Sequence, residues 1–203
     1  MLEAAPSLLP RFNVAPTQSV AAIRQTDQRR ELVLLRWGLV PAWAKDIAIG
    51  NKMINARAET VAEKPAFRSA FKRRRCLILT DGYYEWQKTG TQKQPYHIHM
   101  RDGRPFVFAG LWERWQEPTQ SQAVETCTII TTAANEQTTP IHDRMPVILN
   151  AGASDLWLDE SVEDRGKLEP LLVPYAADDL VFDRISTHVN NPRNEGPSCL
   201  ALV

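Results

Sequence analysis

The spacing of apolar and polar positions favours strands over helices along most of the chain. Leu32-Val33-Leu34-Leu35-Arg36-Trp37 is an apolar run of strand length and predicts a buried strand. Cys76-Leu77-Ile78-Leu79 predicts a second, leading through Asp81-Gly82 into a short extended segment that ends at Trp86. The polar stretch from Gln87 to Gln94 predicts a hairpin loop. Tyr96 to Met100 and Phe106 to Leu111 flank Asp102-Gly103, and this predicts a second hairpin because Asp-Gly suits a tight turn. Cys127 to Thr132 and Leu180 to Ile185 add two more strands. Helical signals are fewer. Pro65 to Arg75 has proline in its first turn and places Phe67, Ala70 and Phe71 on one helical face. Ser154 to Leu158 and Lys167 to Leu172 are short helix candidates. With no internal repeat and no dividing linker, residues 1–203 read as a single α+β domain of mostly antiparallel strands.

Composition narrows the function classes. A chain of 203 residues that is 43% hydrophobic and 24% charged has the make-up of a folded globular domain, not a disordered one. Lys+Arg and Asp+Glu both total 24, so any attraction for nucleic acid must come from a local surface. Cys76, Cys127 and Cys199 are odd in number and widely spaced, which argues for a reducing compartment and against a disulfide framework. No apolar run approaches the ~20 residues needed to cross a bilayer. Met1 to Pro6 carries no signal-peptide pattern. A cytoplasmic protein without a membrane partner is expected.

Three polar blocks interrupt the strands: Ile54-Asn55-Ala56-Arg57-Ala58-Glu59-Thr60, Asp81-Gly82-Tyr83-Tyr84-Glu85-Trp86 and Ile141-His142-Asp143-Arg144-Met145-Pro146. They supply an amide, a carboxylate and an imidazole. His142, between Pro140 and Pro146, is a loop residue able to move a proton near neutral pH, or one that merely hydrogen-bonds its own backbone. Glu85, beside Trp86 and two tyrosines, is either a partly desolvated base or a solvated strand residue. Asn55 either orients a substrate or closes a turn.

Basic residues cluster on the Pro65–Arg75 segment, where Arg68, Lys72 and Arg75 would share one helical face, widened by Arg73 and Arg74. Such a stripe either follows a phosphate backbone or is a solvated helix face. Arg57 and Arg144 adjoin the candidate site residues and suit bidentate phosphate contact. Trp43 and Trp86 are candidates for stacking on unpaired bases, whereas Trp37 and Trp112 have core-like neighbours. His97 and His99 share a strand face and His188 is a candidate third ligand. With no acidic or cysteine ligand at metal spacing nearby, no metal and no cofactor is expected. No Gly-x-Ser-x-Gly motif or activated cysteine points to acyl transfer.

Taken together the chain resembles the SRAP (SOS-response-associated peptidase) family. The resemblance rests on Arg11-Phe12-Asn13-Val14-Ala15-Pro16-Thr17, Arg36-Trp37-Gly38-Leu39-Val40-Pro41, the three polar blocks, Arg75-Cys76-Leu77-Ile78, Lys93-Gln94-Pro95-Tyr96, Phe108-Ala109-Gly110-Leu111-Trp112 and Val189-Asn190-Asn191, in that family's order. It implies a barrel-like arrangement of strands with a few helices and a positive groove. It also implies covalent capture of abasic sites in single-stranded DNA by a monomer, with associated self-peptidase and lyase chemistry in the DNA damage (SOS) response. On this resemblance Asn55, Glu85 and His142 are the active-site residues. Arg57 and Arg144 lie near DNA phosphates, and Trp43 and Pro16 in the groove that holds bases apart. The family's reactive group is a cysteine directly after the initiator methionine, within Met-Cys-Gly-Arg. Its α-amine and thiol close a thiazolidine on the aldehyde of the opened sugar. Here position 2 is Leu2 and that tetrad is missing. Two expectations follow: a start assigned too late, or a copy that has lost the nucleophile and binds single-stranded DNA without a covalent bond.

Overall fold

The computed structural model describes residues 8–117, 122–176 and 178–203, so Leu2 lies outside the described residues. Eleven strands are formed: β1 (Ser19–Thr26), β2 (Arg29–Trp37), β3 (Asn55–Arg57), β4 (Arg75–Thr80), β5 (Gly82–Thr89), β6 (Gln92–Met100), β7 (Phe106–Gln116), β8 (Ala123–Ala133), β9 (Arg144–Pro146), β10 (Ile148–Leu149) and β11 (Leu180–Arg184). Three short helices, α1 (Arg68–Arg73), α2 (Ala151–Leu158) and α3 (Arg165–Leu168), accompany them.

Five strands close on themselves in the order β7-β4-β1-β2-β8, because β8 returns to pair with β7. Four seams of this barrel are antiparallel, and the β2–β8 seam is parallel. The alternation of side chains sorts residues inward and outward. Ala22, Leu35, Cys76, Ile78, Phe108, Cys127 and Ile129 fill the interior. Gly110 belongs to the same inward row, where a Cβ would come within 3.0 Å of Cys76 Sγ. Arg24 also points inward, with its guanidinium 4.2 Å above the Trp112 ring and paired to Glu31 and Glu125. Outward-facing Leu77, Ala109, Leu111 and Ile130 form a second core beneath the helices, with Phe67, Phe71, Trp157 and Leu168. Trp157 is fully buried and donates its indole N–H to the Cys76 carbonyl.

A second sheet, β11-β6-β5, lies beside the barrel. It replaces two expected hairpin features. The segment Gln87–Gln94 is not a loop: β5 and β6 pair along their whole lengths to a two-residue turn at Gly90-Thr91, with Gly90 at φ 63°. Asp102-Gly103 does not close a β6–β7 hairpin, since β6 pairs with β11 and β7 with β4. That turn hands the chain from one sheet to the other. The Leu32–Trp37 strand forms, but Leu34 on its outer face is 50% exposed. The first helix is shorter than expected and ends at Arg73, which leaves Arg75 on β4.

After β2 the backbone passes very close to the 3₁₀ segment Ile47–Lys52. A Cβ on Gly38 would sit 2.7 Å from the Gly50 carbonyl oxygen, and Gly38 also has φ 122°. Two glycines thereby let two backbones touch and hold the Trp43 segment against the barrel end, where Trp115 donates to the Ala44 carbonyl. Gly38→Ala is expected to destabilise the fold by about 2 kcal/mol or more, combining the left-handed backbone with a backbone clash. Gly90→Ala, with nothing within 4 Å of the added carbon, should cost only the conformational penalty of ~1 kcal/mol. Chemical denaturation midpoints of the two variants check the difference.

Candidate active site

Glu85 and His142 meet at one cleft. Its volume is about 550 Å³ and its lining is Glu85, Trp86, Lys88, Lys93, His142 and Asn190. Glu85 stands on β5, opposite Tyr96 of β6, and is half-buried. Burial lifts its carboxyl above the ordinary value of 4.5, against the opposing pull of the nearby His142 and of a backbone hydrogen bond at Trp86. A carboxylate in this setting holds a proton more readily than one in water and returns it to a base of modest strength.

His142 comes from the loop between β8 and β9. Asn135 folds that loop: its side-chain oxygen accepts from Thr138 N–H, its amide donates to the Tyr175 carbonyl, and the His142 N–H then donates to the Thr138 carbonyl. Gln87 of β5 donates to the Pro140 carbonyl at 2.9 Å, which ties the loop to the strand bearing Glu85. The imidazole itself is exposed. Its Nδ1 lies 3.1 Å from the Arg144 backbone nitrogen and 3.2 Å from the Arg144 carbonyl oxygen, with the Asp143 carboxylate 3.4 Å away, so the local backbone offers this nitrogen both a donor and an acceptor.

Asn55 and Arg57 both stand exposed on β3, on the same face, with Ala56 buried between them. β3 runs along one edge of β8 while β9 runs along the other, and Thr131 is the shared partner of Arg57 and Pro146. Arg144 therefore emerges two strands away from Arg57. Its guanidinium grips Glu59 with both nitrogens, at 2.6 and 3.0 Å, and also donates to the Thr131 carbonyl. This fork holds the Glu59 carboxyl below its ordinary value, with Arg57 adding a smaller pull. Arg57 enters no ion pair among the described residues.

Asn55, Arg57 and Arg144 are not among the residues lining the cleft, and neither are the remaining expected residues. Trp43 is 61% exposed on its own loop. Pro16 is exposed at a turn whose next residue, Thr17, adopts φ 75°, an uncommon conformation for a β-branched side chain. Arg68 and Lys72 are exposed on α1, but the stripe stops there. Arg73 pairs with Glu163 and Arg74 with Glu113. Arg75 is only 4% exposed and donates to the carbonyls of Phe71 and Trp157, so it braces α1 and α2 and offers no surface charge. What the sequence reading omitted is the lysine pair. Lys88 and Lys93 are direct cross-strand partners at the cleft, a like-charge juxtaposition that costs stability and concentrates positive potential. Treating Gln87–Gln94 as a loop concealed it. Asn190, which accepts from the Trp86 indole, lies in a block whose role the spacing did not reveal.

The chain's early segment is anchored here too. Asn13 is buried and points its amide at the carbonyls of Val189, Asn191 and Asn194. The Tyr84 hydroxyl donates to the Phe12 carbonyl, and Phe12 packs with Trp86. His97 and His99 are brought together on β6, but His188 is not with them: it bonds Asn194 and Ser198, and Asp183 of β11 takes the third place.

Comparison with known proteins places this geometry. The SOS response associated peptidase (SRAP) family matches residues 2–192. The chain belongs to that family. It is 45% identical over 192 residues to the abasic site processing protein YoqW of Bacillus subtilis, covering 94% of this chain and 85% of that protein. It is 31% identical to the abasic site processing protein YedK of Escherichia coli, covering 98% of this chain and 87% of the relative. A crystal structure of a Bacteroides thetaiotaomicron protein superimposes with a TM-score of 0.83 at 30% identity, over 92% of this chain and 82% of that one. The closed barrel with its side sheet and few helices is thus the SRAP fold.

Glu85 offers a test that needs no substrate. A carboxyl whose folded pKa is raised supports the fold fully below its unfolded value of 4.5 and loses that support as pH rises through the folded value. Glu85→Gln, which removes the buried charge, is therefore expected to raise Tm at pH 7 and to lose that advantage below pH 4.5. Thermal melts across pH check it, and an unchanged or lowered Tm at pH 7 would show that the charge is well solvated.

Proposed function

We propose that this SRAP chain processes abasic sites in single-stranded DNA at the Glu85–His142 cleft. The supporting observation is that a partly desolvated carboxyl and a backbone-held imidazole from separate elements line one cleft with a basic rim. Both relatives compared above are named as abasic site processing proteins.

The opened sugar of an abasic site presents an aldehyde. An amine attacking it must shed protons, and Glu85 is placed to take them. Sugar ring opening needs a proton on the ring oxygen while the C1 hydroxyl gives one up; the imidazolium form of His142 supplies the first and water takes the second. Asn55 orients the opened sugar through its amide. Arg57, Lys88 and Lys93 meet phosphates, with Arg144 joining once Glu59 yields it. Arg68 and Lys72 extend the basic surface, Trp43 stacks on an unpaired base, and Pro16 keeps neighbouring bases apart. The family's attacking amine and thiol belong to an N-terminal cysteine. With Leu2 at that position, the second reading is non-covalent binding of single-stranded DNA in the same groove.

A crosslinking assay with an abasic-site oligonucleotide separates the readings. The chain bearing Leu2 is expected to form no adduct that survives heating and denaturing electrophoresis, and a version beginning Met-Cys-Gly-Arg is expected to form one. In that version Glu85→Gln should slow adduct formation by about 10²-fold, and His142→Ala should slow the opening of the sugar and any release. Absence of adduct from the cysteine version would overturn the covalent reading.

DNA binding is checked separately by fluorescence anisotropy at several salt concentrations. Single strands should bind more tightly than blunt duplex, with affinity falling as salt rises. Lys88→Ala with Lys93→Ala should flatten the salt slope by about 0.7 per lost phosphate contact. An unchanged slope would remove the lysines from the interface.

A further inference from the structure

The three-stranded sheet has two faces, and Glu85 stands on one of them. Glu85 and Tyr83 point to one side of β5, whereas Gly82 and Tyr84 point to the other. On that other side, His99 stands opposite Gly82, His97 opposite Tyr84, and Asp183 of β11 opposite His97. One nitrogen from each histidine and one carboxylate oxygen lie within 4.8 Å of one another, all partly buried.

The packing around these groups makes room for them. A Cβ on Gly82 would fall 2.1 Å from His97 Nε2, so the imidazole occupies the space a side chain would take. Tyr84 closes the flank, its ring 5.6 Å from that of His97. The two imidazoles stack with centroids 4.9 Å apart and planes within 19°.

The hydrogen-bonding of His99 poses a chemical problem. Its Nδ1 lies 2.9 Å from the Met100 carbonyl oxygen and its Nε2 lies 3.1 Å from Asp183 Oδ2. Both neighbours are acceptors. A neutral imidazole has one N–H and one lone pair, so one nitrogen would face an oxygen lone pair to lone pair. Either a second proton or a cation on Nε2 resolves this. The proton alone gives the adjacent His97 ring nothing to bind. A metal ion uses all three groups at once. Nδ1–H then donates to the Met100 carbonyl, the outer contact that commonly orients a metal-bound histidine.

We propose that His97, His99 and Asp183 form a binding site for one divalent first-row transition-metal ion, of which zinc is the representative. Two imidazoles and one carboxylate suit such ions and suit magnesium or calcium poorly. With bonds of ~2.0–2.2 Å, tetrahedral donors sit about 3.4 Å apart. The His99–Asp183 separation already meets that spacing, and a rotation of His97 brings in the third donor. Three protein ligands leave a further position for water. The ion would rivet β6 to β11 on the face of the sheet opposite Glu85. The sequence alone concealed this because Asp183 lies 84 residues from His99.

The test uses the intact chain, stripped with a chelator, and needs no DNA, so its result is independent of the abasic-site reading. Zinc titration by calorimetry should show one ion per chain, and cobalt should give a visible absorption spectrum of low-symmetry coordination. Zinc should also raise Tm. Asp183→Asn and His97→Gln, which keep side-chain size, should each weaken zinc binding by more than about 100-fold, beyond the 10–100-fold typical of an outer-shell partner. His188→Ala should bind like the parent. Failure of the intact chain to bind zinc saturably would overturn the proposal. So would parental affinity in both Asp183→Asn and His97→Gln, which would place the ion elsewhere.

Discussion

A strand has only two edges, and β8 must serve four neighbours. Its eleven residues meet the demand by dividing each edge. Along one edge β7 pairs up to Ile129 and β9 takes over from Thr131; along the other β2 pairs at Thr126–Cys127 and β3 from Ile129. Every backbone donor and acceptor on such a buried strand needs a partner, so the handover points are fixed within a residue or two. The first half of β8 closes the barrel. The second half leaves the barrel and spreads β3 and β9 apart with one strand between them. Arg57 and Arg144 are thus held two inter-strand spacings apart, about 10 Å across the sheet, and Asn55 lies further away, displaced along β3.

The cleft works against stability at two points. A carboxyl is held partly out of water at Glu85, and two lysines face each other across β5 and β6. Each of these is unfavourable by itself, and the well-packed barrel beneath offsets them. Elsewhere the protein follows ordinary rules. Arg24 lies over Trp112 between two glutamates, and Arg75 saturates carbonyls at two helix ends. Local conflict at the cleft and local agreement elsewhere is the contrast expected of a site shaped by chemistry.

Much of the fold was legible from hydrophobic spacing. The cores of β2, β4, β7, β8 and β11 are where the apolar runs predict them, and the α+β class holds. Pairing was not legible. Asp102-Gly103 reads as a hairpin turn locally, but Met100 finds Leu180 across the side sheet, a partner that no local pattern reveals. Arg75 fits a helical stripe by spacing alone, and its true place follows from the helix stopping at Arg73. The candidate residues were singled out chiefly through the order of the motif blocks, which resembles one family. The lysine pair and Asp183 required tertiary structure, because strand register and long-range pairing are settled by packing.

The clamp formed by Asn13 has a temporal side. Its carbonyl partners, Val189, Asn191 and Asn194, lie up to 181 residues further along the chain. At the ~5–20 residues per second of protein synthesis, the segment Arg11–Asn13 waits roughly 10–35 s after translation before those partners exist. The barrel strands β1, β2, β4, β7 and β8 are all made by then. The wall that carries Phe12, Trp86 and Asn190 is therefore the last part of the molecule able to assemble. A nascent chain can own a finished barrel while its cleft is still open on one side, and a ribosome stalled before Val189 holds a folded core without a completed site.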